Sequence, residues 1–285
     1  KKQSCTTTVA QEYLLTISER IFKMKNVLEF QTKKLKKEKI TMVTCYDYSF
    51  AKVLNTTAID TLLVGDSVAQ VIHGHTNTLA ATTAMMSLHT KAVRRGTEKF
   101  IVADMPFLST RKGLKHAMDA VHQLMAAGAN ALKIEGYKGH SELIRHIVDS
   151  GVPVMGHLGL TPQSIHQLGG PKIQGRTESG AEEILKESLA LEQAGCFALV
   201  LECVPAQLAQ KISEALHIPT IGIGAGRQCD GQVLVLQDML GMNTDFNPKF
   251  LKKYSNLNSE VKSAIKNYVS EVTSNSFPTK EHSYE

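Results

Sequence analysis

No uninterrupted apolar run in the chain approaches the roughly 18 residues that a bilayer-spanning helix needs, so a membrane protein is not expected. Cysteine is scarce and follows no pairing pattern. The five, Cys5, Cys45, Cys196, Cys203 and Cys229, are an odd number, and none stands in a CxxC spacing. That argues against a disulfide frame and a cysteine zinc site, and fits reduced, cytoplasmic usage. Neither sign of charge dominates. The formal net charge is +5, and the basic cluster "KKLKKEK" at 33–39 has no interleaved aromatics. It reads as a solvated helix face or helix approach, and nucleic acid is not an expected partner. No GxGxxG follows an early strand, which counts against a doubly wound dinucleotide-binding sheet, the second-ranked fold. HExxH is also absent.

The first 23 residues lack a secretory apolar core, since Glu12 and Glu19 interrupt them. They are Thr-rich but poor in Arg, a weak match to an organelle transit peptide. Met24, followed by "KNVLEF", makes a natural start. Residues 1–23 are therefore expected to be an extension outside the fold, and 24–285 a single domain. No linker, repeat or low-complexity block divides residues 40–275.

What is present is a rhythm. Short runs rich in Val and Ile occur at 40–46, 60–65, 100–105, 131–136, 152–157, 197–202, 219–224 and 232–237. Near-continuous apolar character suits strands covered on both faces, as in a parallel sheet. Between them lie helical spacings, at 111–129, at 179–196 with Ser179 as cap, and at 205–219 with Pro205 at an early helical position. A further helical pattern covers 258–275. Eight strands, mostly followed by helices, predict an α/β fold: one (β/α)8 TIM barrel with an N-terminal helical segment and a C-terminal helix.

In such a barrel, chemistry gathers at the C-terminal strand ends. Unusual polar residues fall there: Asp66 and Ser67 after the second run, Asp104 on the third, Lys133 and Glu135 on the fourth, His157 on the fifth, Glu202 on the sixth. Lys133 and Glu135, two apart on a strand, share a face. Asp66, Asp104 and Glu135 form a carboxylate-rich set suited to a hard divalent ion such as Mg²⁺, although each aspartate alone also fits a helix cap. His157 reads as a hydrogen-bonded strand-end histidine bordering the pocket. Glu202 is a carboxylate inside the apolar run "LVLECVP", where burial without a partner would cost several kcal/mol, roughly. The loop at 161–178 is long for a βα connection and reads as a site cover or an interface segment.

The ordered motifs "VGDS", "ADMPF", "LKIEG", "MGHLGLTPQS", "LVLECVP", "IPTIGIGAG" and "DGQVLVL" closely resemble those of the ketopantoate hydroxymethyltransferase family. The likeness runs from about 39 to 284. It implies a (β/α)8 barrel, Mg²⁺, 5,10-methylenetetrahydrofolate as one-carbon donor, and hydroxymethylation of 3-methyl-2-oxobutanoate to 2-dehydropantoate in pantothenate biosynthesis. It also implies a cytoplasmic homodecamer. By position in those motifs, the resemblance assigns Asp66, Asp104 and Glu135 to the metal, Asp66, Ser67, Asp104 and Lys133 to the oxo acid, and the proton-accepting role to Glu202. Two stretches depart from the family pattern: "SVAQ" stands in place of "SLGM" at 67–70, and "TLAAT" in place of "TLPVT" at 78–82. Two rival readings are a folate-independent, Mg²⁺-dependent lyase of 2-oxo acids and a catalytically silent assembly protein.

Overall fold

The computed structural model describes residues 24–284, so the expectation for residues 1–23 lies outside the described residues. Two compact units divide at Val233 and Leu234. The first contains almost all of the barrel. Strands β1 (Ile40–Thr44), β2 (Thr61–Val64), β3 (Phe100–Asp104), β4 (Ala131–Glu135), β5 (Val154–Gly159), β6 (Ala198–Glu202), β7 (Thr220–Ile223) and β8 (Gly231–Leu234) close a ring in sequence order. Each pair whose register is defined, from β1·β2 to β7·β8, is parallel.

Helix α1 (Val27–Leu35) precedes the ring. Then come α2 (Tyr48–Asn55), α3 (Val68–Val71), α4 (Thr83–Gly96), α5 (Leu114–Ala126), α6 (Ser141–Asp149), α7 (Glu178–Gln193) and α8 (Ala206–Ala215). The apolar strand runs are buried because helices cover one face and the barrel core the other. Two local expectations change. The α7 cap is Thr177, whose hydroxyl accepts from Gly180 N, and Ser179 lies inside the helix. Pro205 sits at the N-cap of α8, one residue before its first turn.

The barrel interior is layered. Phe100 and Val102, Ala131, Met155, Ala198 and Val200 belong to one buried apolar cluster. Side chains alternate along a strand, so this parity carries Asp104, Lys133, Glu135, His157 and Glu202 inward as well, further toward the C-terminal ends. Helix α1 closes the opposite end. Phe30 is fully buried, with its ring centroid 5.3 Å from Phe100 and 5.0 Å from Phe197 in edge-to-face geometry. Lys33 pairs with Asp60 at 2.6 Å and Lys34 with Asp230 at 2.8 Å. Those two lysines thus depart from the solvated face expected of the basic cluster: they fasten α1 across the floor of the barrel.

The second unit holds α9 (Leu236–Met239) and α10 (Leu257–Thr273). No residue of α10 is buried, and Val261, Ile265, Tyr268, Val269 and Val272 form an exposed apolar stripe. Among the described residues no helix is long and apolar enough to cross a membrane.

Candidate active site

The inward-facing polar layer forms one contiguous cluster. The β4–β5 register sets Glu135 opposite His157, and the β3–β4 register sets Asp104 opposite Lys133. Lys133 Nζ lies 3.2 Å from Asp104 Oδ1 and 3.5 Å from Glu135 Oε1. His157 reaches two carboxylates, with Nδ1 3.3 Å from Glu135 Oε1 and Nε2 3.3 Å from Glu202 Oε2. Asp66 joins through its backbone N–H, which donates to Asp104 Oδ2 at 3.0 Å. Five of the six are under 9% exposed; Glu202, with its side chain 18% exposed, is the one open to the mouth.

The charges are mutually dependent. Burial pulls the Lys133 ammonium toward neutrality, but Asp104, Glu135 and Asp66 outweigh it and hold the proton on. Burial also works against ionised Glu135, yet Lys133 and His157 win and bring its carboxyl down to about 2. For His157, burial and Lys133 oppose protonation; Glu135 and Glu202 overcome them and lift the ring to about 9. An imidazolium has no lone pair to offer, so the 3.2 Å approach of Lys133 Nζ to Nδ1 is a contact of like charges held between carboxylates, not a hydrogen bond. Burial raises the carboxyls of Asp66 and Asp104, and for Asp66 the charges of Glu135 and Asp104 add to it.

Counted as ions, the four carboxylates of Asp66, Asp104, Glu135 and Glu202 face two cations, Lys133 and His157, leaving two negative charges in a largely buried space. Asp104 Oδ1 and Glu135 Oε1 are buried oxygens with ion-pair neighbours but no aligned hydrogen bond. Among the described residues, no three His, Cys, Asp or Glu side chains already surround a common metal position. A hard divalent ion that takes one or two protein carboxylates and completes its shell with water and substrate oxygens fits this donor set; a fully protein-caged ion does not.

Two capping explanations for the aspartates fall away. Asp104 caps no helix, because α5 begins after Gly113. Ser67 occupies the N-cap of α3 but makes no cap hydrogen bond there; its hydroxyl lies 2.8 Å from Tyr46 Oη. Glu202, a carboxylate inside an apolar run, does have a partner: His157 stands against it.

Sequence reasoning missed two members. Gln163, in a short 3₁₀ turn opened by Pro162, brings the long loop over the cluster. Its side-chain amide donates to Asp66 Oδ2 and to Met105 O, both at 2.9 Å, and its backbone N–H donates to Glu135 Oε2 at 3.0 Å. Tyr46, fully buried just beyond β1, holds Ser67. The position of Tyr46 at a strand end was a usable signal; the motif "LTPQS" carried none of comparable force for Gln163.

Backbone shape places Glu202. Gly159 adopts φ +91, and a Cβ there would sit 2.2 Å from Glu202 O. This close approach lets Leu160 N donate to the same carbonyl at 2.8 Å. Cys203 follows in the left-handed region at φ +48, a strained conformation for a side chain of this kind.

Comparison with known proteins adds a family. The model of the ketopantoate hydroxymethyltransferase family matches residues 24–280. The chain is 56% identical over 262 residues to the 3-methyl-2-oxobutanoate hydroxymethyltransferase of Bdellovibrio bacteriovorus, covering 92% of this chain and 100% of that protein. It is 57% identical over 263 residues to the protein so named from Francisella tularensis, covering 92% and 99%. Among solved structures, a phosphonopyruvate hydrolase superposes with a TM-score of 0.60 at 10% identity, over 91% of this chain and 93% of that one. That likeness concerns the barrel fold alone.

Proposed function

Because the chain belongs to the ketopantoate hydroxymethyltransferase family, we propose that it transfers a hydroxymethyl group to C3 of 3-methyl-2-oxobutanoate, giving 2-dehydropantoate for pantothenate and coenzyme A synthesis. The donor in this reading is 5,10-methylenetetrahydrofolate. The observation that carries it is the convergence of Glu202, His157, Lys133 and three acidic neighbours at one rim.

Lys133 receives the substrate carboxylate, as a buried ammonium that its acidic neighbours keep charged. Tyr46 orients Ser67 toward the same substrate. Asp66, Asp104 and Glu135 would hold Mg²⁺, the last also completing the anionic wall. Bound there, the ion supplies charge stabilisation to the oxo group as negative charge develops. Gln163 fixes the carboxylates of Asp66 and Glu135 in place.

Glu202 takes the C3 proton. His157 Nε2 stands 3.3 Å from Glu202 Oε2 as an ion-pair neighbour without an aligned hydrogen bond, and Oε1 has no partner among the described residues. C3 then bonds the one-carbon unit, both C–N bonds of that unit to the folate break, and water supplies the hydroxyl. The C3 proton and one water proton end on the two folate nitrogens. No electrons change hands with a further reactant.

The deciding assay measures 2-dehydropantoate with and without Mg²⁺ and methylenetetrahydrofolate. Product only when both are present is expected; turnover without folate would favour the lyase, and no turnover the silent assembly protein. In the same reading the chain is a cytoplasmic homo-oligomer, a decamer by resemblance. The exposed apolar stripe on α10 supports self-association, and sedimentation velocity tests it.

A further inference from the structure

Beside the carboxylate cluster lies a cavity of about 590 Å³, within the ordinary range for small-molecule sites. Glu135 forms part of its wall, so it adjoins the place assigned to the oxo acid. It is much larger than a five-carbon acid needs. Its walls have two characters. Phe107, Tyr137, Leu158 and Ile184 offer apolar surface, while Arg111, Lys138, Glu135, Glu183 and Glu187 are charged.

Arg111, an exposed side chain, differs from Lys138, the other cation of this cavity. Lys138, nearby, is paired with Glu183 and approaches Glu187 at 4.0 Å. Arg111 has no carboxylate partner among the described residues. Its Nη2 donates to Lys138 O and lies 3.4 Å from His140 Nδ1. The other nitrogen of that ring lies 2.8 Å from the Thr110 hydroxyl, which fixes the imidazole beside the guanidinium. Gly139 makes room for it: a Cβ there would lie 2.4 Å from Nη1. The guanidinium is thus held in one place with its charge unspent. A second cavity of about 530 Å³ shares Thr110 and Arg111 with the first, so Arg111 stands where the two meet. Leu108, on the rim, is 43% exposed at φ +58, a strained backbone of the kind that gathers at ligand sites.

A planar, amphipathic ring system with an anionic tail matches this sequence of surfaces. We propose that the first cavity seats the pterin and aminobenzoyl rings of the reduced folate, and that Arg111 binds a carboxylate of its glutamyl tail. This rests on the function proposed above. Phe107 supplies apolar contact to the rings, and the second cavity gives further glutamyl residues somewhere to run.

The test measures equilibrium binding to the full chain of tetrahydrofolate and of tetrahydropteroamide, in which a neutral amide replaces the glutamyl group and no carboxylate remains. Loss of a charge-assisted pair weakens binding roughly tenfold or more. Arg111→Ala should therefore weaken tetrahydrofolate by that factor and change tetrahydropteroamide less than twofold, with Arg111→Lys recovering part of the loss. Phe107→Ala should weaken both ligands alike. Equal loss of both ligands in Arg111→Ala would mean that Arg111 only staples its loop, and would overturn the assignment. Unchanged binding in Arg111→Ala, or no tetrahydrofolate binding by the parent chain, would overturn it too. Arg111-dependent binding by a chain that forms no 2-dehydropantoate would leave this site standing and remove the proposed function instead.

Discussion

Glu135 and His157 face each other across the β4–β5 register, with Nδ1 3.3 Å from Oε1, and the other nitrogen of the same ring lies 3.3 Å from Glu202 Oε2. One imidazolium therefore joins a carboxylate deep in the barrel to the one at its mouth. His157→Asn removes that cation and leaves acidic groups facing each other. Breaking a buried pair from one side costs about 3–5 kcal/mol. A fall in melting temperature is expected, together with slower exchange of the substrate C3 proton in deuterated buffer. Unchanged exchange would show that Glu202 needs no orienting partner.

Gln163→Ala should loosen Asp66 and Glu135 together, because one residue donates to both. Groups that orient metal ligands typically contribute roughly 10–100-fold in affinity. The Mg²⁺ concentration giving half-maximal activity should rise by that order. An unchanged Mg²⁺ titration would place Gln163 outside the metal's surroundings.

Gly159→Ala tests the backbone approach that sets Glu202. The new Cβ would lie 2.2 Å from Glu202 O, at a φ of +91 that side chains rarely adopt. Strain of this kind costs about 1–3 kcal/mol even before the clash. Denaturant unfolding should show the loss, and a variant of parental stability would contradict the packing described.

The four described cysteines carry no disulfide, and their thiols are hard to ionise. Burial lifts Cys45 and Cys196 to about 12 and, with help from the Glu202 charge, Cys203 to about 11; Cys229 is raised as well. The thiolate is the reactive form, so its fraction falls tenfold for each pH unit below the pKa. In a Cys5→Ser variant, iodoacetamide at pH 7.5 should label the native chain very slowly and all four thiols after denaturation. Labelling should quicken as pH rises toward 11. Fast native labelling at neutral pH would refute the burial argument.

The barrel was legible because its strands are nearly unbroken apolar runs, a pattern that both-sided burial imposes. The rim was legible because a charged residue at the end of such a run, like Glu202 or Glu135, stands out against it. What escaped was set by contacts distant in sequence. Gln163 reaches Asp66 across 97 positions from a loop with no periodicity. Lys34 looked like one of several solvated lysines until Asp230, 196 positions away, arrived beside it. Thr177 displaced Ser179 as the α7 cap, a shift of two positions between two competent hydroxyls.

The Phe30 plug has a kinetic consequence. With the interior filled by an apolar layer and α1 seated across the floor, both reactants reach the polar cluster from the C-terminal strand ends. In the proposed reading the small acid sits on the buried Lys133, and the bulky donor in the adjoining cavity built outward of it by the loops after β3, β4 and β5. Whatever sits deeper must arrive first and depart last. The chain should thus follow a compulsory order, oxo acid before folate, and an excess of folate should trap the enzyme by blocking the way down.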